Sequence, residues 1–417
     1  MVAADQPFQR AARAPVRVLI VDDSAVMRSL LRSVVGTDPC IEVAATASDG
    51  SAALRLLDSV APDIVLLDVE MPVMDGLSTL KALKARNRRL PVIMCSALTQ
   101  RGGKVTIEAL ASGASDCVCK PSGAPSREIA VRTLAHDLIP KILALTSSRA
   151  SFAAAHPLHA QSSAIAAFSP HSSAAVAPRT LSPPDRLPHL AASFPVTNTP
   201  PAILLIGVST GGPAALDLLL PALPATFPLP ILIVQHMPEL FTSLLAERLN
   251  ERCPLAVSEA VHGQPVRPGH IYIARGNWHM EVAGSFSESP GFASPGFTPT
   301  LRLTQDPPEN HCRPAVDVLF RSAVSIYDAR ILGVVLTGMG YDGLAGSRLI
   351  RQHGGTVLAQ DEATSAVWGM PGAVANAGLA QSILPIQAIA PEILRLVGRS
   401  QHESAASREP ALRESAV

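Results

Sequence analysis

The sequence predicts an α/β protein made of two successive parallel-sheet units with an unstructured connection between them. Two observations carry this prediction. Short Val/Ile/Leu-rich runs alternate with amphipathic stretches across residues 16–140 and again across 200–398, the rhythm of repeated βα units. Between these regions the texture turns to Ala, Ser, Pro and His with no period. At 417 residues the chain exceeds one ordinary domain, and its 47% hydrophobic content is ample for two packed cores.

In the first unit, apolar runs place strands at residues 16–21, 41–45, 64–67, 92–95 and 117–119, with helices in the gaps. Pro62, Pro72 and Pro91 punctuate the connections. Five such units make a doubly wound, five-stranded parallel sheet. Residues 141–199 read as a flexible linker. The histidines in it (His156, His159, His171 and His189) are spaced too irregularly to suggest a metal site. The second unit, 200–398, is interrupted at 284–300, where Ser-Pro-Gly-Phe occurs at Ser289 and again at Ser294. That interruption reads as a surface hairpin insertion. Residues 399–417 are polar and are expected to form a disordered tail.

Composition removes several classes of function. With 34 basic and 34 acidic residues the net charge is zero, and aromatics make up only 4%. Neither a polyanion-binding surface nor a base-stacking platform is indicated, so no nucleic-acid partner is expected. The six cysteines (Cys40, Cys95, Cys117, Cys119, Cys253 and Cys312) form no C-x-x-C pair, which argues for reduced thiols rather than a zinc site or a disulfide framework. The N-terminus has no apolar stretch like that of a signal peptide, and no run reaches the ~18 residues that span a membrane. A soluble cytoplasmic protein without membrane insertion is therefore expected.

Chemistry-bearing residues gather at strand ends. In the first unit Asp22 and Asp23 close the first strand, Asp68 the third, Ser96 follows the fourth and Lys120 the fifth. In a parallel sheet these carboxyl ends share one edge, where ligand sites form. Three carboxylates repel unless a cation joins them, and an all-oxygen set suits Mg²⁺ at Asp22, Asp23 and Asp68. Lys120 adds a point charge for a phosphoryl group. Asp68 is the candidate phosphoacceptor, and Ser96 is placed to donate to a phosphoryl oxygen. Taken singly, each acid could merely cap a helix. Together, Val-Asp-Asp-Ser, Leu-Leu-Asp-Val-Glu-Met-Pro and Val-Cys-Lys-Pro resemble the receiver domain of two-component response regulators, with its flavodoxin-like fold. The resemblance implies phosphorylation at Asp68 by a histidine kinase. One departure is Cys117, which stands where receivers usually carry a switch aromatic.

In the second unit the run Ile203 to Val208 ends at Ser209 and opens into Thr210-Gly211-Gly212-Pro213, a strand feeding a helix through a tight turn. A serine there lies beside free N–H groups of a helix start, the parts that a nucleophile and its oxyanion hole need. His236 follows the strand Ile231 to Gln235, and Asp342 lies in the Gly-rich turn Thr337-Gly338-Met339-Gly340-Tyr341-Asp342-Gly343. An imidazole suits the task of base, and an acid behind it would fix its tautomer. Ser209 could instead open a phosphate-binding glycine turn, the lesser reading, and Asp342 could be a helix cap. Five other histidines compete with His236: His262, His270, His279, His311 and His353.

The segments Gly-Val-Ser-Thr-Gly-Gly-Pro, Val-Gln-His-Met-Pro, Pro-Gly-His-Ile-Tyr-Ile-Ala, Arg-Pro-Ala-Val-Asp-Val-Leu-Phe and Leu-Thr-Gly-Met-Gly-x-Asp-Gly resemble the chemotaxis protein-glutamate methylesterase family (CheB), in which a receiver precedes a doubly wound α/β methylesterase domain. The resemblance implies Ser209 as nucleophile, His236 as base and Asp342 as its orienter, with Met339 and Thr210 at the oxyanion. It also implies hydrolysis of glutamyl γ-methyl esters, and deamidation of glutamines, on methyl-accepting chemoreceptors. No cofactor is expected for that reaction. Arg302 and Arg313 are candidates for the substrate groove or plain surface residues, and Cys312 reads as structural. The expected logic is a receiver that covers the Ser209 cleft until it is phosphorylated. The competing reading is a phosphorylation-controlled interaction protein with an inactive hydrolase fold.

Overall fold

The computed structural model describes residues 14–97, 99–121, 123–155, 199–287 and 296–408. The first unit runs β1 (Val16–Val21), α1 (Ala25–Val35), β2 (Ile41–Ala47), α2 (Gly50–Val60), β3 (Ile64–Asp68), α3 (Gly76–Arg86), β4 (Val92–Ser96), α4 (Gln100–Ala111), β5 (Asp116–Cys119) and α5 (Arg127–Ala155). Each of α1 to α4 starts where a short polar side chain (Ser24, Asp49, Asp75 or Thr99) accepts a first-turn N–H. The strands form one parallel sheet in the order β2-β1-β3-β4-β5. The order reverses between β1 and β3, so their carboxyl ends meet at the switch point.

The second unit runs β6 (Ile203–Val208), α6 (Gly212–Leu219), a 3₁₀ turn (Leu220–Ala222), β7 (Ile231–Gln235), α7 (Glu239–Arg252), β8 (Ala256–Glu259), β9 (His270–Ile273), β10 (His279–Ser287), β11 (Gly296–Thr304), α8 (Val316–Tyr327), β12 (Ile331–Val335), α9 (Leu344–Gln352), β13 (Thr356–Gln360), α10 (Met370–Asn376), β14 (Ser382–Leu384) and α11 (Ile386–Arg408). Seven strands form a parallel sheet in the order β14-β13-β12-β6-β7-β9-β8. Helices cover both faces, so the central strands β6, β7 and β12 are buried along their whole length. β6 lies between β7 and β12, and the carboxyl ends of these three strands make the second switch point.

The two units share one apolar cluster, in which Ile107 and Leu110 of α4 join Leu216 of α6 and Phe241 and Leu244 of α7. Helix α4 lies against α6 and α7. Gly103 permits the close approach, since a Cβ at that position would come within 2.5 Å of Leu244 Cδ1.

Three sequence expectations change. Helix α5 continues to Ala155, so residues 141–155 are helical rather than linker. Pro140 reads as a stop because it lacks an N–H. Even so, Leu134, Leu138, Ile142 and Leu145 keep one buried stripe running past it, packed with Leu30, Leu31 and Val34 of α1. Residues 156–198, with their histidines, lie outside the described residues. The hairpin begins before 284: β10 and β11 pair antiparallel from His279↔Thr304 to Ser287↔Gly296, and 288–295 lie outside the described residues. Helix α11 reaches Arg408, ten residues into the expected tail. Gln, Glu, Ala and Arg there are good helix formers, and no Gly or Pro stops the helix before Pro410. Among the described residues no helix is long and apolar enough to cross a membrane.

The α5 boundary can be tested by mutation. Ile142→Ala should cost ~2–5 kcal/mol, as emptying a fully buried aliphatic site does, read from the urea midpoint of the first unit. A linker residue would shift that midpoint by no more than about 0.5 kcal/mol.

Candidate active site and phosphorylation site

At the first switch point Asp22 is fully buried and Asp68 nearly so, while Asp23 is exposed. Oxygens of all three lie within 4.8 Å of one another. Lys120, directly after β5, reaches across with Nζ 2.8 Å from Asp22 Oδ2 and 2.7 Å from Asp68 Oδ1. Burial pushes the Asp68 carboxyl up, and the Lys120 bond and charge work against that rise. Burial alone would lower Lys120, but its two carboxylate partners hold it above the ordinary lysine value. Ser96 is buried at the end of β4, and its hydroxyl donates to the Ala97 carbonyl (3.2 Å) rather than towards Asp68. Three convergent carboxylates form an all-oxygen donor set, which fits a hard divalent cation.

At the second switch point the turn after β6 carries Ser209, the end of β7 carries His236, and the loop after β12 carries Asp342. His236 Nε2 is 2.8 Å from Asp342 Oδ2. Asp342 is also the landing point for backbone donors at the start of α8. The Val316 N–H donates to Oδ2 (2.6 Å) and the Asp317 N–H to Oδ1 (3.0 Å). Ala315, the residue that caps α8, has no side chain for this job, so an acid from another loop serves the helix start. Asn310 donates to Asp342 Oδ1 (2.9 Å) and to Asp317 Oδ2 (3.0 Å), and the Gly343 N–H completes the set (3.0 Å). Burial would raise Asp342, yet the His236 bond and charge, with these donors, hold it below the usual carboxylate range. Burial works against the imidazolium of His236, but Asp342 and then Cys312 outweigh it, and the ring is pushed up to about 10.

Ser209 lines the same cavity as His236 and Asp342, of about 910 Å³. Among the described residues no hydrogen bond joins its hydroxyl to His236; the second ring nitrogen, Nδ1, instead faces Cys312 Sγ at 3.6 Å. The Ser209 backbone is tightly fixed. Its N–H donates to the Thr337 carbonyl (3.0 Å), and its carbonyl accepts from the Gly212 N–H (2.8 Å) and from Gln235 Nε2 (3.0 Å). Gly338 packs so closely that a Cβ there would fall 2.8 Å from Ser209 Cβ. Gly211 holds φ +80°, the left-handed turn that starts α6. Among the described residues the backbone N–H groups of Thr210 and Met339 donate to no protein acceptor.

The first unit forms the other wall of this cavity with Asp116, Cys117, His136 and Lys141. Thr210 Oγ1 donates to Asp116 Oδ2 (2.5 Å), and the Gly211 N–H donates to the Ser115 carbonyl (3.1 Å). Lys141 backs Asp116 from 3.6 Å, bonds Asp137 at 2.9 Å and donates to the Cys117 carbonyl at 2.8 Å. Burial would lower Lys141, but the Asp116 and Asp137 charges hold it well above its ordinary value. Cys117 itself is buried in the shared core.

Arg313 lines the cavity, whereas Arg302 is not among its lining residues and pairs with Glu281 across the hairpin. His311 lines it too; His262, His270, His279 and His353 bond elsewhere. Gln235, Asn310, Cys312, Asp116 and Lys141 were not singled out from the sequence as site residues. Gln235 left a signal, a polar side chain closing an apolar strand. Asn310 and Cys312 sit in an aperiodic polar stretch that gives none.

A family model described as CheB methylesterase matches residues 204–393, and one described as response regulator receiver domain matches 18–132. A protein-glutamate methylesterase/protein-glutamine glutaminase of a Nocardioides species is 45% identical over 390 residues, covering 93% of this chain and 96% of its own. A protein of the same description from Trichodesmium erythraeum is 43% identical over 382 residues, with coverages of 92% and 99%. Among solved structures, the Thermotoga maritima CheB methylesterase catalytic domain is 41% identical at a TM-score of 0.43, covering 47% of this chain and 99% of that one.

The bond between His236 and Asp342 should be visible in an NMR titration of the ring. His236 is expected to titrate above the ordinary imidazole value of ~6.5, and Asp342→Asn to bring its midpoint down. Since the folded value is the raised one, the pairing stabilises the fold fully below that ordinary value and fades as pH rises through the elevated one. Equal midpoints in the two proteins would mean that Asp342 does not charge the ring.

Proposed function

The chain belongs to the CheB methylesterase family, and from that premise we propose a receiver-controlled protein-glutamate methylesterase and protein-glutamine glutaminase acting on chemoreceptors in the cytoplasm. The observation that carries the reading is the bonded pair His236–Asp342 in a cavity that Ser209 lines. In the proposed reaction Ser209 Oγ attacks the γ-carbonyl of a methylated glutamate while His236 Nδ1 takes its proton. Asp342 holds the ring through Nε2 and stabilises the imidazolium. The free N–H groups of Thr210 and Met339 receive the oxyanion. His236 returns the proton to the leaving methoxide, or to the leaving amine when glutamine is the substrate. Water then cleaves the γ-glutamyl ester on Ser209. Ser209 and His236 must turn towards each other on substrate binding, a tightening that apo sites commonly need.

In the receiver, Asp68 is the proposed phosphoacceptor, with a histidine kinase as donor. Mg²⁺ would be held by Asp22, Asp23 and Asp68, and when bound it supplies charge neutralisation for phosphoryl transfer. Lys120 and, after a rotamer change, Ser96 would contact the phosphoryl oxygens.

Control follows from what lies over Ser209. Asp116 and Ser115 grip Thr210 and Gly211, the turn that carries the nucleophile, so the receiver walls one side of the cleft and narrows the approach to Ser209. Strand β5 begins at Asp116 and ends beside Lys120, which gives phosphorylation a route to the grip that does not need the missing switch aromatic. A charge-assisted hydrogen bond contributes roughly 1.5–3 kcal/mol, enough to shift a two-state closure about ten-fold or more.

Methanol release from methylated receptor fragments tests this reading. Wild type should respond to acetyl phosphate with Mg²⁺, and Ser209→Ala should be inactive throughout. Asp116→Ala should raise the unphosphorylated rate by about ten-fold or more. An Asp116→Ala rate equal to wild type would sink the proposed grip, and Ser209-independent release would sink the mechanism. For every active form the rate should climb with pH as the raised His236 deprotonates.

A further inference from the structure

We propose that the cleft contains a site for a thiophilic divalent cation, Zn²⁺ by its chemistry, held between His236 Nδ1 and Cys312 Sγ. Among the described residues the two groupings able to hold a metal differ in kind. Asp22, Asp23 and Asp68 offer only oxygen, whereas His236 and Cys312 with Asp342 bring nitrogen and sulfur. Hard Mg²⁺ prefers the first kind, and softer Zn²⁺ the second.

The spacing fits the softer ion. Zn²⁺ sits ~2.1 Å from imidazole nitrogen and ~2.3 Å from thiolate sulfur in tetrahedral geometry, which sets two such ligands about 3.6 Å apart. Nδ1 and Sγ are 3.6 Å apart. The supporting groups are in place as well. A metal-bound histidine normally hands its other ring N–H to a carboxylate, which fixes its tautomer, and His236 Nε2 already bonds Asp342. Asp342 acts here as orienter and not as ligand, because both its oxygens are taken by Asn310 and by backbone N–H groups. His236 and Cys312 both line the cavity with Ser209, so water and the Ser209 hydroxyl can fill the remaining positions. Two protein ligands with open positions make a reversible site, unlike a closed structural one.

Binding is balanced by protons: the Cys312 thiol gives up H⁺ as its sulfur takes the ion, and where His236 is an imidazolium its Nδ1 gives up a second. No electron moves. The ion also occupies the Nδ1 lone pair, the group that accepts the Ser209 proton in the proposed reaction. Zn²⁺ therefore inhibits, a consequence that rests on the proposed esterase reading, whereas the binding itself does not.

Co²⁺ titration of the full chain, with excess Mg²⁺ to occupy the oxygen site, reads binding without reference to activity. Wild type should develop the thiolate-to-cobalt charge-transfer band, with Zn²⁺ displacing it. Cys312→Ser and Cys312→Ala should lack the band and bind Zn²⁺ at least ~10-fold more weakly, since losing even a supporting partner costs that much. Methanol release, normalised to each protein's own metal-free rate, should fall with Zn²⁺ in wild type, recover with chelator and stay unaffected in the Cys312 variants. No band in wild type, or the same band in the variants, would overturn the site. A Cys312-dependent band in a chain that releases no methanol would instead count against the esterase reading and leave the site standing.

Discussion

The Asp342 carboxylate is buried where helix α8 begins, and the first two N–H groups of that helix are turned onto it. Those donors have no intrahelical partner, and the capping residue Ala315 cannot supply one. A charge placed there gains the helix dipole as well as hydrogen bonds. This is why an acid can stay ionised in a site that would otherwise favour its neutral form. The same charge then orients His236, so the stability of α8 and the chemistry of the cleft draw on one group. Removing it would strand two helix donors and one imidazole at once, and the loss of a buried partner is among the costlier single changes a protein can suffer.

Much of this architecture can be read from the sequence because parallel strands buried on both faces are written as unbroken apolar runs. Residues that close such runs must share an edge, so Asp22, Asp68 and Lys120 could be grouped, and Ser209, His236 and Asp342 likewise, without coordinates. What stays hidden depends on packing between distant segments. Asp116 meets Thr210 across 94 positions of sequence, and no spacing rule anticipates that. Cys312 and Asn310 lie in a loop whose path is set by its ends rather than by any period. Helix α5 is missed for a different reason. Pro140 imitates a terminus, and only the buried stripe continuing through Ile142 and Leu145 shows that the helix ignores it. At the other end of the chain α11 likewise outruns its polar composition, because helix propensity survives where hydrophobic periodicity fades.

The contact between the units combines two sorts of interaction with different consequences. Around α4 it is apolar and continuous with the core of both units, which supplies area but little direction. Around Asp116 it is polar and directional, and it acts on the one turn that carries Ser209. A small change in the polar part can alter access to the cleft while the apolar part still holds the units near each other. Cys117 suits this division. Buried and without a swinging ring, it leaves β5 a plain strand, with one end beside Lys120 and Asp68 and the other at the cleft.

Helix α5 ends at Ala155 and the second unit begins near Thr199. The 43 residues 156–198 have a contour of up to ~155 Å at the limiting rise of about 3.6 Å per residue. Covalent connection therefore does not dictate where the receiver rests. It fixes only a local concentration, of millimolar order for a short flexible tether and falling as the tether lengthens. Where the proposed closure follows that local concentration, a change in the number of residues between 156 and 198 would retune access to Ser209 without altering one atom of the interface.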